Sequence, residues 1–184
     1  MTFKIYSIAN APEKSKPRLR EVQTQMGFVP NIAGVMAGAP SLLEAYACLG
    51  KCIKSCSLSE IEQDVVLLTV SYHNDSKYCL DAHTSNAEKH KLSPVDIHAL
   101  RNGGHMETEK LEALRQYTIG VMENHGRPPD PVKNRFLDAG YGPQQALEII
   151  LGITLKTLTN YTFRLAHPPI DDAFEVALLK KSRG

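Results

Sequence analysis

The segment "NDSKYCLDAH", residues 74–83, brings a serine, a cysteine and a histidine together at positions 76, 79 and 83, with an aspartate, Asp64, twelve residues before the serine. Cysteine and histidine four apart share one face of a helix and can meet directly or through a water. A cysteine in the first turn of a helix lies near unpaired amide hydrogens and the positive end of the macrodipole, which favour thiolate over thiol. A thiolate can attack the terminal oxygen of a peroxide; an alkoxide then departs and needs a proton, and the sulfur becomes a sulfenic acid. His83, with an ordinary pKa of about 6.5, is suited to hold that proton, and Asp64 is placed to orient the imidazole. Ser76 can donate a hydrogen bond to the thiolate but cannot form a disulfide, so regeneration falls to an external thiol or to another cysteine. Each residue also has a plainer reading: Cys79 as a small buried side chain, Ser76 as a helix N-cap, His83 as a hydrogen-bonded core histidine.

The elements that must position these groups are helices. "DVVLLTVSYH" is an apolar helix, Asn74-Asp75-Ser76 are three cap residues in a row, and "KYCLDAHTSNAEKH" resumes helical spacing. Elsewhere the apolar period predicts helices over about 41–56, 60–73, 76–91, 94–101, 107–125, 131–138, 143–165 and 170–182. Pro40, Pro94, Pro131 and Pro143 sit near starts, and Gly103–Gly104, Gly126 and Gly140 near ends. No Asn-Gly or Asp-Gly turn flanked by alternating apolar residues interrupts them. The expectation is an all-α single-domain helical bundle spanning residues 1–184.

Twenty-one basic residues against 20 acidic ones give a net charge of +1, so there is no electrostatic footprint for nucleic acid or an anionic membrane. "ALEIILGITLKTL" is too short and too polar to span a bilayer, and the N-terminus carries no apolar run suited to a signal peptide. A cytoplasmic protein with reduced cysteines is expected. Cys48, Cys52 and Cys56 recur at every fourth position, a stripe expected to pack in the core, with a resolving role for one of them as the alternative. Cys79 and His83 could supply two metal ligands on one face, with His73 of uncertain direction as a third; no metal or other cofactor is assigned.

An internal echo singles out the same region. Displaced by 84 positions, 64–83 lies on 148–167, with Asp64 on Glu148, Val65-Val66-Leu67 on Ile149-Ile150-Leu151 and His83 on His167. Both copies end Ala-His, while Ser76 becomes Asn160 and Cys79 becomes Phe163. The expectation is an internal two-fold repeat whose first copy keeps reactive groups and whose second, His167 included, is mainly scaffold.

The run from Asp64 through twelve positions to "SKYCLDAH" resembles the carboxymuconolactone decarboxylase family with its alkylhydroperoxidase D-like members, whose pattern is an acid, twelve positions to a cysteine, and CxxCxxxH. "MGFVPNIAGVMAGAPSLLEAY" and "FLDAGYGPQQALEIILGITLKTLTNY" are similar to flanks of peroxidase-related members, so the resemblance covers about residues 26–172. It implies an all-α fold, homo-oligomers, and in redox-active members a dithiol that reduces hydroperoxides. Carried over, Cys79 matches the attacking thiol, His83 the relay histidine and Asp64 the relay acid. Ser76 stands where the resolving cysteine is found, and Asp64 is one methylene shorter than the usual Glu. The implied partners are a small hydroperoxide, an external thiol reductant and further copies of the chain. The implied activity is a single-cysteine hydroperoxide reductase. A non-redox member, lactone-processing or merely binding, is the alternative that Ser76 favours.

Overall fold

The computed structural model describes residues 1–174, and among these there are helices and turns but no strand. A 3-10 turn, Glu13–Ser15, leads into α1 (Lys16–Met26), followed by α2 (Asn31–Met36), α3 (Pro40–Lys54), α4 (Glu60–His73), α5 (Lys77–Lys89), α6 (Pro94–Asn102), α7 (Glu109–Glu123), α8 (Asp130–Asp138), α9 (Pro143–Ala166) and a second 3-10 turn, Asp172–Phe174. From α3 to α9 the ends differ from the sequence expectation by at most two residues. The helices α1 and α2 were not expected. The expected helix over 170–182 lies mostly outside the described residues.

The centre of the bundle is α4. Eight consecutive residues, Asp64 to Ser71, are buried, as befits a helix covered on every side, and α4 packs against α5, α6, α7 and α9. Its start is fixed by a capping box: Ser59 Oγ accepts from the Glu62 amide at 3.3 Å, and Glu62 Oε2 accepts from the Ser59 amide at 2.8 Å. Glu62 also accepts from the Tyr141 hydroxyl at 2.9 Å and pairs with Lys110 at 3.2 Å. It is a structural acid. Where α4 meets α9, a Cβ added to Gly152 would stand 2.7 Å from Val66 Cγ1, so the helices approach as closely as a glycine permits.

Asp64 does not orient His83. Its Oδ2 lies 2.6 Å from Nδ1 of His90, at the C-terminal end of α5, and so ties the start of α4 to the end of α5. The spacing from Ser76 suited a relay role, but a buried carboxylate takes the partner that its own helical turn faces. Burial pushes the Asp64 carboxyl up to about 6, with the His90 hydrogen bond offsetting part of that rise.

The echo between 64–83 and 148–167 is one of residue pattern. The first segment breaks at Asn74–Ser76, with Asp75 at a φ of 50°, and starts a new helix; the second lies within α9, unbroken as far as Ala166. The break is pinned from across the bundle, by Asn74 Nδ2 donating to Asn160 Oδ1 at 3.1 Å and by the Arg164–Asp75 ion pair. A chain reversal at this point therefore needs no glycine, since aspartate tolerates the left-handed region.

The stripe of Cys48, Cys52 and Cys56 is not core. Cys48 and Cys52 are exposed, because α3 turns its Leu43–Ile53 side inward, and Cys56, beyond the end of α3, is half-buried. No helix among the described residues is long and apolar enough to cross a membrane.

Two outcomes follow from this packing. Gly152→Ala should destabilise the fold by about 1–3 kcal/mol despite alanine's better helix propensity. Combined with Val66→Ala it should cost less than the two single changes together, as urea unfolding would show; strict additivity would mean that this contact does not set the α4–α9 approach. Asp64 binds its proton more tightly in the folded state, so its contribution to stability falls as pH rises from about 4 to about 6. Asp64→Asn, which keeps an acceptor for His90, should gain on the wild type by up to about 3 kcal/mol between pH 4 and pH 7. A difference that does not change with pH would contradict the assignment.

Candidate active site

Cys79 is the third residue of α5, and Ser76 is that helix's N-cap. Ser76 occupies the cap position without capping, since its hydroxyl bonds no amide of the first turn. The hydroxyl lies instead beside the Cys79 sulfur, where it favours the thiolate. Both residues are buried. Cys79 packs with Tyr78, Leu158 and Phe163 in an apolar cluster whose other members come largely from α1 to α3. Tyr78 is fixed over this cluster by its hydroxyl, which is bonded to Asp171 and accepts from the Ile32 amide at 3.4 Å.

The residue that defines the site is Lys156, in the middle of α9. It is 3% exposed, and its Nζ lies 2.8 Å from Nε2 of His83. His83 lies one turn beyond Cys79 on the same face of α5, so the same amine is near enough for its charge to act on the Cys79 sulfur. Thr159 and Asn160, three and four residues further along the same face, bring polar side chains near the sulfur. The second copy of the sequence echo is thus not scaffold; α9 supplies the site's lysine and two polar side chains beside it.

These contacts reverse the usual consequence of burial. Desolvation pushes the Cys79 thiol up, but the Lys156 charge and the nearby polar side chains of Ser76, Thr159 and Asn160 together bring it below a free thiol's value. Burial, aided by the Lys156 charge, holds His83 well below its ordinary range, so His83 is a neutral imidazole and not the proton store expected of it. Lys156 is itself held below the usual lysine range by burial, with the Cys79 thiolate opposing that fall. The arrangement sets a cysteine drawn toward its thiolate, a buried lysine amine and a neutral imidazole side by side, with Lys156 Nζ bonded to His83 Nε2.

Two buried side-chain polar atoms among the described residues have no hydrogen-bond partner: Ser76 Oγ and His83 Nδ1. Both belong to this site. Unpaired buried polar atoms are rare in folded proteins, and a pair of them around one sulfur marks where a reacting molecule or a water would bond. Tyr46 of α3, half-buried, is near enough for the Cys79 charge to add to the burial that pushes its phenol up to about 12.

Of the four residues singled out by spacing, the fold brings Ser76, Cys79 and His83 together and leaves Asp64 with His90. Lys156 was missed because nothing near it in sequence marks it. The one signal was a lysine in the middle of the apolar run "ALEIILGITLKTL", at a position that must face inward if the run is core. His73, at the exposed end of α4, does not extend a metal site, and among the described residues no three His, Cys, Asp or Glu side chains are grouped to hold a metal.

No family profile and no curated protein matches the sequence. Solved structures do. A peroxidase-related protein of Ralstonia eutropha JMP134 with an alkylhydroperoxidase AhpD core has a TM-score of 0.80 at 18% identity, over 94% of this chain and 93% of that one. A peroxidase-related protein of Silicibacter sp. TM1040 has a TM-score of 0.76 at 16% identity, with the same coverage of both chains. The debrominase Bmp8, as a Cys-to-Ala variant in complex with 2,3,4-tribromopyrrole, has a TM-score of 0.71 at 19% identity over 91% of each chain. At these identities the likeness is one of architecture, and the chain has the all-α alkylhydroperoxidase D-like fold.

Proposed function

We propose that this protein is a thiol-dependent hydroperoxide reductase with Cys79 as its single nucleophile. The observation that carries the reading is the buried Lys156 amine, bonded at 2.8 Å to His83 one turn beyond Cys79 and near enough to draw the Cys79 thiol down. A buried ammonium is costly to maintain, and its use here is to hold a sulfur as thiolate and to supply a proton. The thiolate attacks the terminal oxygen of the hydroperoxide, the O–O bond breaks, and the departing alkoxide takes a proton from Lys156 to leave as the alcohol. His83 holds the amine in place through Nε2. Cys79 is left as the sulfenic acid, and two equivalents of an external thiol return it to the thiolate through a mixed disulfide. The reduced thiols this requires fit a cytoplasmic setting.

A second reading is favoured by the likeness to the debrominase and by the aromatic rings of Tyr78 and Phe163 around Cys79: a thiolate acting on a halogenated ring. Bromide release from a brominated pyrrole, absent in Cys79→Ser, would select it. A lactone-processing or binding role leaves the thiolate–ammonium contact without a use.

Self-association is part of the same proposal. The face of α9 opposite Lys156 exposes Leu147 (69%) and Ile150 (48%) toward one end of the helix and Tyr161 (60%) and Leu165 (65%) toward the other. Large apolar patches on a soluble protein are normally covered, and copies of the chain are the simplest cover.

Two measurements test these statements. With Cys48, Cys52 and Cys56 replaced by Ser, thiolate absorbance should titrate below the ordinary value of about 8.5. Lys156→Met should move it above that value and slow peroxide reduction at neutral pH by about tenfold or more, while Cys79→Ser should abolish it. A Cys79 titration unmoved by Lys156→Met would refute the charge assignment. Sedimentation at micromolar concentration should show an oligomer that Leu147→Glu with Leu165→Glu dissociates; a wild-type monomer would overturn the self-association.

A further inference from the structure

Oxidation of a lone cysteine leaves a sulfenic acid that a second peroxide converts irreversibly to sulfinic acid unless something captures it first. In this site the captor is not a thiol. Ser76 replaces one candidate, Cys48 and Cys52 are exposed on α3, and Cys56 packs in clusters that do not include Cys79. The amine nucleophile at this end of the bundle is Lys156, buried like Cys79 and bonded at 2.8 Å to His83, one helical turn beyond Cys79 on the same face of α5.

We infer that Lys156 performs the resolving step, its amine condensing with the Cys79 sulfenic acid to form an intramolecular sulfenamide. The inference rests on the peroxide reading above. Having given its proton to the alkoxide, Lys156 is a neutral amine facing the oxidised sulfur. The nitrogen lone pair attacks sulfur, the S–O bond breaks, and the hydroxide leaves as water, taking the proton that the nitrogen loses. Sulfur stays at the oxidation level of the sulfenic acid, so no further oxidant is consumed. An external thiol then attacks the sulfur, a mixed disulfide forms and the amine returns with a proton. His83 favours the step, because Nε2, which faces the amine, can take the proton from the nitrogen as the bond forms and return it to the departing hydroxide. Burial supports it too, since little water reaches the sulfur to compete.

The test is intact mass and peptide mapping after one equivalent of hydrogen peroxide, in protein carrying Ser at positions 48, 52 and 56 so that no disulfide can form within the chain. A sulfenamide lowers the mass by about 2 Da, resists dimedone and joins the peptides that carry Cys79 and Lys156, whereas a free sulfenic acid raises the mass by about 16 Da and is trapped by dimedone. The expected result is the first, reversed by dithiothreitol. Lys156→Arg, which keeps the cation but offers no comparable nucleophile, should give the second and should over-oxidise severalfold faster on repeated peroxide exposure. A wild-type site that gains about 16 Da and reacts with dimedone as Lys156→Arg does would overturn the resolving role while leaving the peroxide reading intact. A site that gains and loses no mass while peroxide persists would remove the peroxide reading itself, and the resolving role with it.

Discussion

The architecture around the site depends on one buried charge. An ammonium held away from water in the middle of a helix bundle is tolerated only with compensation at hand, and Lys156 finds it in the Cys79 sulfur and the Nε2 of His83. The three ionisation states are therefore linked. A thiol in place of the thiolate would leave the ammonium without a counter-charge, and a charged imidazole would set two cations against each other 2.8 Å apart. The state that satisfies all three is thiolate, ammonium and neutral imidazole. It is set by burial and contact together, and by neither alone.

Holding those groups in register is the task of the α4–α5 break and of α9. Cys79 and His83 come from one helix and Lys156 from another, so their distances depend on how α5 and α9 are each docked on α4. Gly152 lets α9 lie directly on Val66, Asn160 and Arg164 grip the reversal at Asn74–Asp75, and the Asp64–His90 clasp holds the far end of α5. The carboxylate that appeared to belong to the chemistry thus belongs to the frame, one helix length from the sulfur it was expected to serve.

The helices from α3 to α9 could be read in the sequence because each combines a 3.6-residue apolar period with a proline, serine or glycine at an end, and those are local signals. The short α2, and α1 with its low apolar content, gave no such period; they form because Ser15, Leu19, Val22 and Ile32 find partners across the chain. The same division holds in the site. Cys79, His83 and Ser76 were legible because they share one helix start. Lys156 lies 73 residues from His83, and only a packed α9 reveals which way it points. Cys48, Cys52 and Cys56 misled for the converse reason: a period of four specifies a helical face but not whether that face is the inner one.

Ser76 makes sense in this light. In a site that relied on a second thiol, serine at the helix cap would be a loss of function. In a site whose counter-charge comes from α9, the hydroxyl lies beside the sulfur, where it favours the thiolate, and puts no competing sulfur at the helix start. Its unused cap position and unpaired Oγ are what a donor kept for the sulfur should show, because a hydroxyl committed to the first-turn amides would be turned away from it. The serine and the lysine are thus two parts of one arrangement, in which charge from α9 replaces what a neighbouring thiol on α5 would have contributed.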